Sequence, residues 1–159
     1  MTASMSKKPR DVAPSVTNRK ARFNYEITET IEAGIVLVGA EVKSIRAGKA
    51  TLQDAWARID NGEAWLHGCH ITPYMEASRY NQPADRPRKL LLHKKEIEKL
   101  SAKINEKGMT LVGMEMYFKD NNVKVKLGLG RSKKMHDKRD SIKEKSVKRE
   151  IDRGLKSYR

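Results

Sequence analysis

The sequence is short of the features that mark several large classes of protein. A single cysteine, Cys69, in 159 residues excludes an internal disulfide framework and fits a reducing, cytoplasmic setting. No apolar run approaches the roughly 20 residues needed to cross a bilayer. The opening stretch, MTASMSKKPRDVAPSVTN, lacks the apolar block of a signal peptide, so neither export nor a membrane partner is expected. Neither GxxxxGK[ST] nor GxGxxG occurs, and nothing supports a nucleotide-binding loop. The carboxylates form no cluster in sequence of the kind metal-dependent RNA cleavage needs. HGCH at 67–70 is the one stretch rich in metal-ligating types. Read as a strand, it sends His67 and Cys69 to one face and His70 to the other, and no second cluster completes a tetrahedral site. No catalytic residue, metal or cofactor is therefore assigned, and an enzyme is not expected.

Positive charge is what the chain has in excess. Thirty-four Lys and Arg face 20 Asp and Glu, for a formal net charge of +14. Residues 1–22 carry +5, residues 23–130 only +2, and residues 131–159 carry +7. A nearly neutral body thus sits between two basic arms. A polyanion rewards that layout best, because each phosphate contact releases condensed counterions.

Three segments follow from pattern: a disordered leader over 1–17, a β-rich body over 18–130, and a basic tail over 131–159. YEITET (25–30) and IVLV (35–38) read as strands, the latter bracketed by Gly34 and Gly39. In DAWARIDNGEAWLHG, Asn61-Gly62 supplies the two positive-φ positions of a type I′ hairpin. That register places Ala57 opposite Leu66 and Ile59 opposite Ala64 on one face, with Trp56, Arg58, Trp65 and His67 on the other. The aromatic face is open to two readings, a surface that stacks RNA bases or a cover for one end of a barrel. Thr72 to Arg88 reads as a long loop. HKKEIEKLSAKINEKG spaces Ile97, Leu100 and Ile104 as a helix, with Gly108 as its cap. TLVGMEMYFKDNNVKVKLGL reads as a second hairpin, with Val123, Val125 and Leu127 on one face and Lys124 and Lys126 on the other. The expected fold is mainly β: a small barrel with one packed amphipathic helix and a basic C-terminal tail.

Within the tail, Val147, Ile151, Leu155 and Tyr158 fall at helical spacing and draw a thin apolar stripe along a cationic rod. Such a segment is expected to be largely unfolded alone in water and to become helical against a polyanion.

NRKAR (18–22), EAGIVLVGAEVKSIRAGKA (32–50), RKLLLHKKEI (88–97), KVKLGL (124–129) and KKMHDKR (133–139) together resemble one family, in its order and over nearly the whole chain after residue 17. It is the small protein B family, the SsrA-binding or tmRNA-binding proteins of bacterial trans-translation. The resemblance implies an oligonucleotide-binding (OB-fold-like) β-barrel that binds the tRNA-like domain of tmRNA. It also implies delivery with elongation factor Tu and GTP to stalled ribosomes, and a tail that becomes helical on the ribosome. There the tail would probe the empty mRNA channel at the decoding centre, against 16S rRNA. A monomer is expected.

Site residues carried over by the resemblance are Asn18, Glu32 and Leu91 for RNA, with Arg19, Lys20 and Arg22 in the same basic arm. Asn18 can donate and accept at base or ribose edges, Glu32 can accept from a base amino group, and Leu91 can pack on an exposed base. Lys43, Arg46, Lys49, Lys124 and Lys126 are added as phosphate contacts. In the tail the assigned residues are Lys133, Lys134, His136, Asp137, Lys138, Arg139 and Leu155. Two departures from the family pattern, Ser132 in place of glycine and Gly154 at an often apolar position, suggest weaker docking of the tail. A structural ribosomal protein with a basic extension is the alternative reading.

Overall fold

A computed structural model of the chain describes residues 15–74 and 82–157. Asn61 and Gly62 adopt φ of 50° and 73°, turning strand β4 (Trp56–Asp60) directly into β5 (Glu63–His67). Ala57 pairs with Leu66 and Ile59 with Ala64, the register the two-residue loop demands. Around this hairpin stand β2 (Tyr25–Ile35), β7 (Arg88–Leu91), β8 (Thr110–Lys119) and β9 (Asn122–Ser132). Their antiparallel pairings run in a ring: β8 to β4, β5, β7, β2, β9 and back to β8. Register shifts between Ile27 and Glu29 and between Gly113 and Glu115 mark the irregularities where strands bend. The lysine-alternating strand behaves as its pattern requires. Val123, Val125, Leu127 and Leu129 are buried, while Lys124 and Lys126 lie on the outer face.

Helix α3 (Lys94–Lys107) buries Ile97 and Leu100 and rests Ile104 against the same core. It begins where the Glu96 carboxylate accepts the His93 backbone N–H and ends at Gly108, whose φ is 61°.

Several expectations need correction. IVLV is not a strand: only Ile35 belongs to β2, Val36 is exposed, and helix α2 (Gly39–Arg46) follows. The barrel therefore packs a second helix that the apolar run concealed. Glu41 explains its place. Its carboxylate accepts the Val38 N–H at the helix start and pairs with Arg86 and, at 2.6 Å, with Arg88. Arg88, fully buried, also donates to the carbonyls of Cys69 and Ala84, so the segment from residue 82 to Arg88 is clamped onto α2. Residues 75–81 of the expected loop lie outside the described residues.

HGCH does not form one strand. Gly68, at φ 71°, breaks it, and a Cβ there would come within 2.2 Å of the Asp54 carbonyl oxygen. Cys69 turns into the core, where burial pushes its thiol up to about 11. His70 instead bonds Asp85 at 2.8 Å beside the short pair β3 (Ala50–Thr51) and β6 (His70–Ile71).

At the N-terminal side, Val16–Thr17 form strand β1 against β8 instead of belonging to a disordered leader. Helix α1 (Ala21–Asn24) follows. The body also runs past residue 130, since β9 continues to Ser132, opposite Tyr25. The tail is a helix: α4 spans Met135–Ser157. It is anchored at its start. The Lys133 N–H donates to the Asn24 carbonyl at 2.8 Å, and the Lys145 ammonium lies 6.0 Å from the Phe23 ring centre.

Candidate nucleic-acid interface

Alternation along β2 puts Glu32 and Gly34 on the outside of the barrel and Ala33 and Ile35 inside. Strand register then gathers the outward residues of four strands. Lys126 lies opposite Glu32, while Lys124 and Leu91 lie opposite Gly34 from its two sides. Tyr117, on β8, lies opposite Lys124. A groove of about 870 Å³ opens here, lined among others by Glu32, Gly34, Leu91, His93 and Lys124. Three of the expected RNA-binding positions, Glu32, Leu91 and Lys124, are thus brought together, and Lys126 borders them beside Glu115 and Tyr117.

The groove's details were not legible in sequence. Tyr117 donates its phenolic hydrogen to Glu32, and the Lys119 ammonium lies 3.2 Å from the other carboxylate oxygen. The Tyr117 bond, with Lys119 beside it, holds the Glu32 carboxyl below its ordinary value, so it is an anion with a fixed direction. Partial burial, together with the bond to Glu32, pushes the Tyr117 phenol up to about 12, so it stays a donor. Leu91 is 55% exposed, an apolar side chain presented to solvent. It lies against Gly34, where an added Cβ would stand 3.2 Å from the Leu91 Cβ.

Helix α2 carries the exposed Lys43 and Arg46, and Lys49, also exposed, lies in the turn that follows it. Arg46 stacks 5.1 Å from the centre of Phe118, at the end of the β8–β9 hairpin that also holds Tyr117, and Lys43 lies 5.6 Å from that of Tyr74. These cations lie on α2 and the turn after it, beside the barrel wall.

Asn18 is held apart from the groove. Its side chain is buried: Nδ2 donates to the Gly113 carbonyl at 2.9 Å, and its backbone N–H donates to the Met114 carbonyl at 2.7 Å. Its Oδ1 is buried without a hydrogen-bond partner among the described residues. Asn18 thereby holds the exposed Arg19, Lys20 and Arg22 in place against β8. In the tail, Lys133 and Lys138 are half-buried, Lys134 and Arg139 exposed, and Leu155 is 65% exposed. The side chains of His136 and Asp137, and all of Tyr158, lie outside the described residues. Among the described residues no group of three or more His, Cys, Asp or Glu is placed to hold a metal ion.

A ring of antiparallel strands, an outward groove of carboxylate, leucine and lysines, and two basic extensions define a small basic protein of the oligonucleotide-binding-barrel class. The comparisons with known proteins are specific within that class. The SmpB protein family model matches residues 15–157. The SsrA-binding protein of Thermosynechococcus vestitus is 56% identical over 140 residues, covering 87% of this chain and 92% of that one. Its counterpart from Streptococcus agalactiae is 55% identical over 141 residues, covering 89% and 91%. A solved tmRNA–SmpB structure, described as a journey to the center of the bacterial ribosome, is 49% identical with a TM-score of 0.65, covering 77% of this chain and 87% of that one. The chain belongs to the SmpB family.

Proposed function

We propose that this chain binds the tRNA-like domain of tmRNA and delivers it to stalled ribosomes for trans-translation, the rescue and tagging of incomplete proteins. The observation that carries the reading is the outward groove that an ionised, oriented Glu32 lines together with exposed Leu91 and half-buried Lys124. A buried ion pair would serve folding; this carboxylate faces solvent beside an apolar side chain and two lysines. It can accept from base amino or imino groups while Leu91 packs on a base face and Lys124 and Lys126 meet phosphates. Arg19, Lys20, Arg22, Lys43, Arg46 and Lys49 extend the electrostatic footprint. Membership of the family and the 49% identical tmRNA–SmpB structure support the same partner.

In this reading the labour is divided. The barrel body grips tmRNA, while the tail, residues 131–159, enters the empty mRNA channel near the decoding centre, with Lys133 to Arg139 meeting 16S rRNA. A helix of 23 residues spans about 35 Å at 1.5 Å per residue, a thin cationic rod suited to a phosphate-lined channel. The protein acts by binding, as a cytoplasmic monomer without cofactor, in a complex with elongation factor Tu and GTP.

The test is a chain ending at Lys134, which keeps β9 and the Lys133–Asn24 hydrogen bond. Its affinity for the tRNA-like domain should stay within about twofold of the full chain, while tagging on ribosomes stalled at a message end is abolished. Loss of tmRNA binding on truncation would make the tail a nonspecific anchor and defeat the division of labour.

A further inference from the structure

The outer face of β4 and β5 presents side chains that the barrel core does not need. Trp56 and His67 are opposite one another, their ring centres 4.6 Å apart and their planes 15° apart. The next outward pair is Arg58 with Trp65, and Trp65 is followed across β7 by Lys89. Trp56 is 41% exposed, Arg58 is exposed, and Trp65, His67 and Lys89 are half-buried. Their inward neighbours Ala57, Ala64, Leu66 and Leu90 already fill the core. The rings therefore stand on the outside wall and do not close a barrel end.

This wall continues the groove. Lys89 and Leu91 alternate to the same side of β7, and Lys89 and Glu63 line the groove together with Glu32 and Leu91. The acids of the wall, Asp60 and Glu63, lie at the hairpin tip, where Glu63 pairs with Lys89 at 3.3 Å. On the far side a cleft of about 380 Å³ runs between Trp56 and Arg58 and the polar Ser101 and Asn105 of α3. Aromatic planes interleaved with cations on a sheet suit unstacked bases and the phosphates that join them.

We propose that Trp56, His67 and Trp65 form a stacking platform for unpaired bases of the same RNA that occupies the groove, with Arg58 and Lys89 meeting its phosphates. This rests on the RNA-binding reading above, and it lengthens the recognition surface from β2 to β4.

Trp56 and Trp65 are the chain's two tryptophans, so their emission reports on the platform alone. The full-length chain is titrated with the tRNA-like domain of tmRNA, following tryptophan emission and, in parallel, gel mobility. Emission should be quenched at the concentrations where the mobility shift occurs. Trp56→Ala with Trp65→Ala should weaken affinity about tenfold without changing its slope against salt, because stacking releases no counterions. Trp56→Phe with Trp65→Phe, which keeps the rings, should stay within about twofold of the wild type. Should the double alanine variant fail to fold, Trp56→Ala alone, at the more exposed ring, should still weaken binding several-fold. A shift without quenching, or full affinity in the alanine variants, would overturn the platform and leave the proposed function standing. No binding by the wild-type chain would overturn both.

Discussion

Tyr117 on β8 reaches across β9 to donate its phenolic hydrogen to the Glu32 carboxylate on β2. The bond fixes the direction of an otherwise mobile carboxylate and keeps it ionised. Tyr117→Phe removes the donor and leaves the ring. RNA affinity should fall on the order of fivefold, since one hydrogen bond to a charged group that is partly solvated is lost. The sign of the pH effect follows from the direction of the shift. Glu32 sits below its ordinary value, so binding that needs its charge persists as pH falls through the usual carboxylate range. In Tyr117→Phe the acid loss of binding should begin at higher pH, as binding curves between pH 4 and 7 would show.

Leu90 and Leu91 are adjacent but face opposite ways, 2% and 55% exposed. Leu90→Ala should cost about 2–5 kcal/mol in urea unfolding. Leu91→Ala should change stability by less than about 0.5 kcal/mol yet weaken RNA binding, separating recognition from folding. Equal destabilisation by the two would place Leu91 in the core's service.

Glu41 is buried against Arg86 and Arg88. Burial pushes its carboxyl up, but the bonds from Arg86, the Val38 N–H and Arg88 outweigh it, and the net shift is downward. Its contribution to stability is therefore present above the ordinary value of 4.5 and is lost as pH falls through the lowered one. Glu41→Gln leaves Arg88 buried without its counter-charge and should cost about 3–5 kcal/mol at pH 7. Unfolding measured from pH 7 down to pH 3 should show the variant's deficit shrinking in acid.

Gly154 lies inside α4, and a Cβ added there meets nothing within 4 Å. Gly154→Ala should stabilise the helix by about 0.5–1 kcal/mol, seen as greater helical circular dichroism of the full chain. If docking of the tail limits tagging, tagging should rise with it.

The hairpin at Asn61-Gly62, the inward valines of β9, the span and cap of α3, and the basic tail were all legible in sequence, because each depends on neighbours a few residues away. Local periodicity decides which way such side chains face. What the sequence left open depended on partners far along the chain. IVLV has the composition of a strand, but Glu41 meets Arg88 47 positions later and the chain turns into α2. Asn18 is competent at a base edge in isolation, yet the Gly113 carbonyl, 95 positions away, takes its amide. HGCH alternates on paper until Gly68 breaks the strand. Tyr117 and Glu32 are 85 positions apart, and no local pattern joins them. Sequence alone determined the Asn61-Gly62 hairpin, α3, the charge layout and the family. Only the tertiary structure decided which polar groups face inward to be satisfied and which stay on the outer face, because a buried polar group must find its partner wherever the fold brings one.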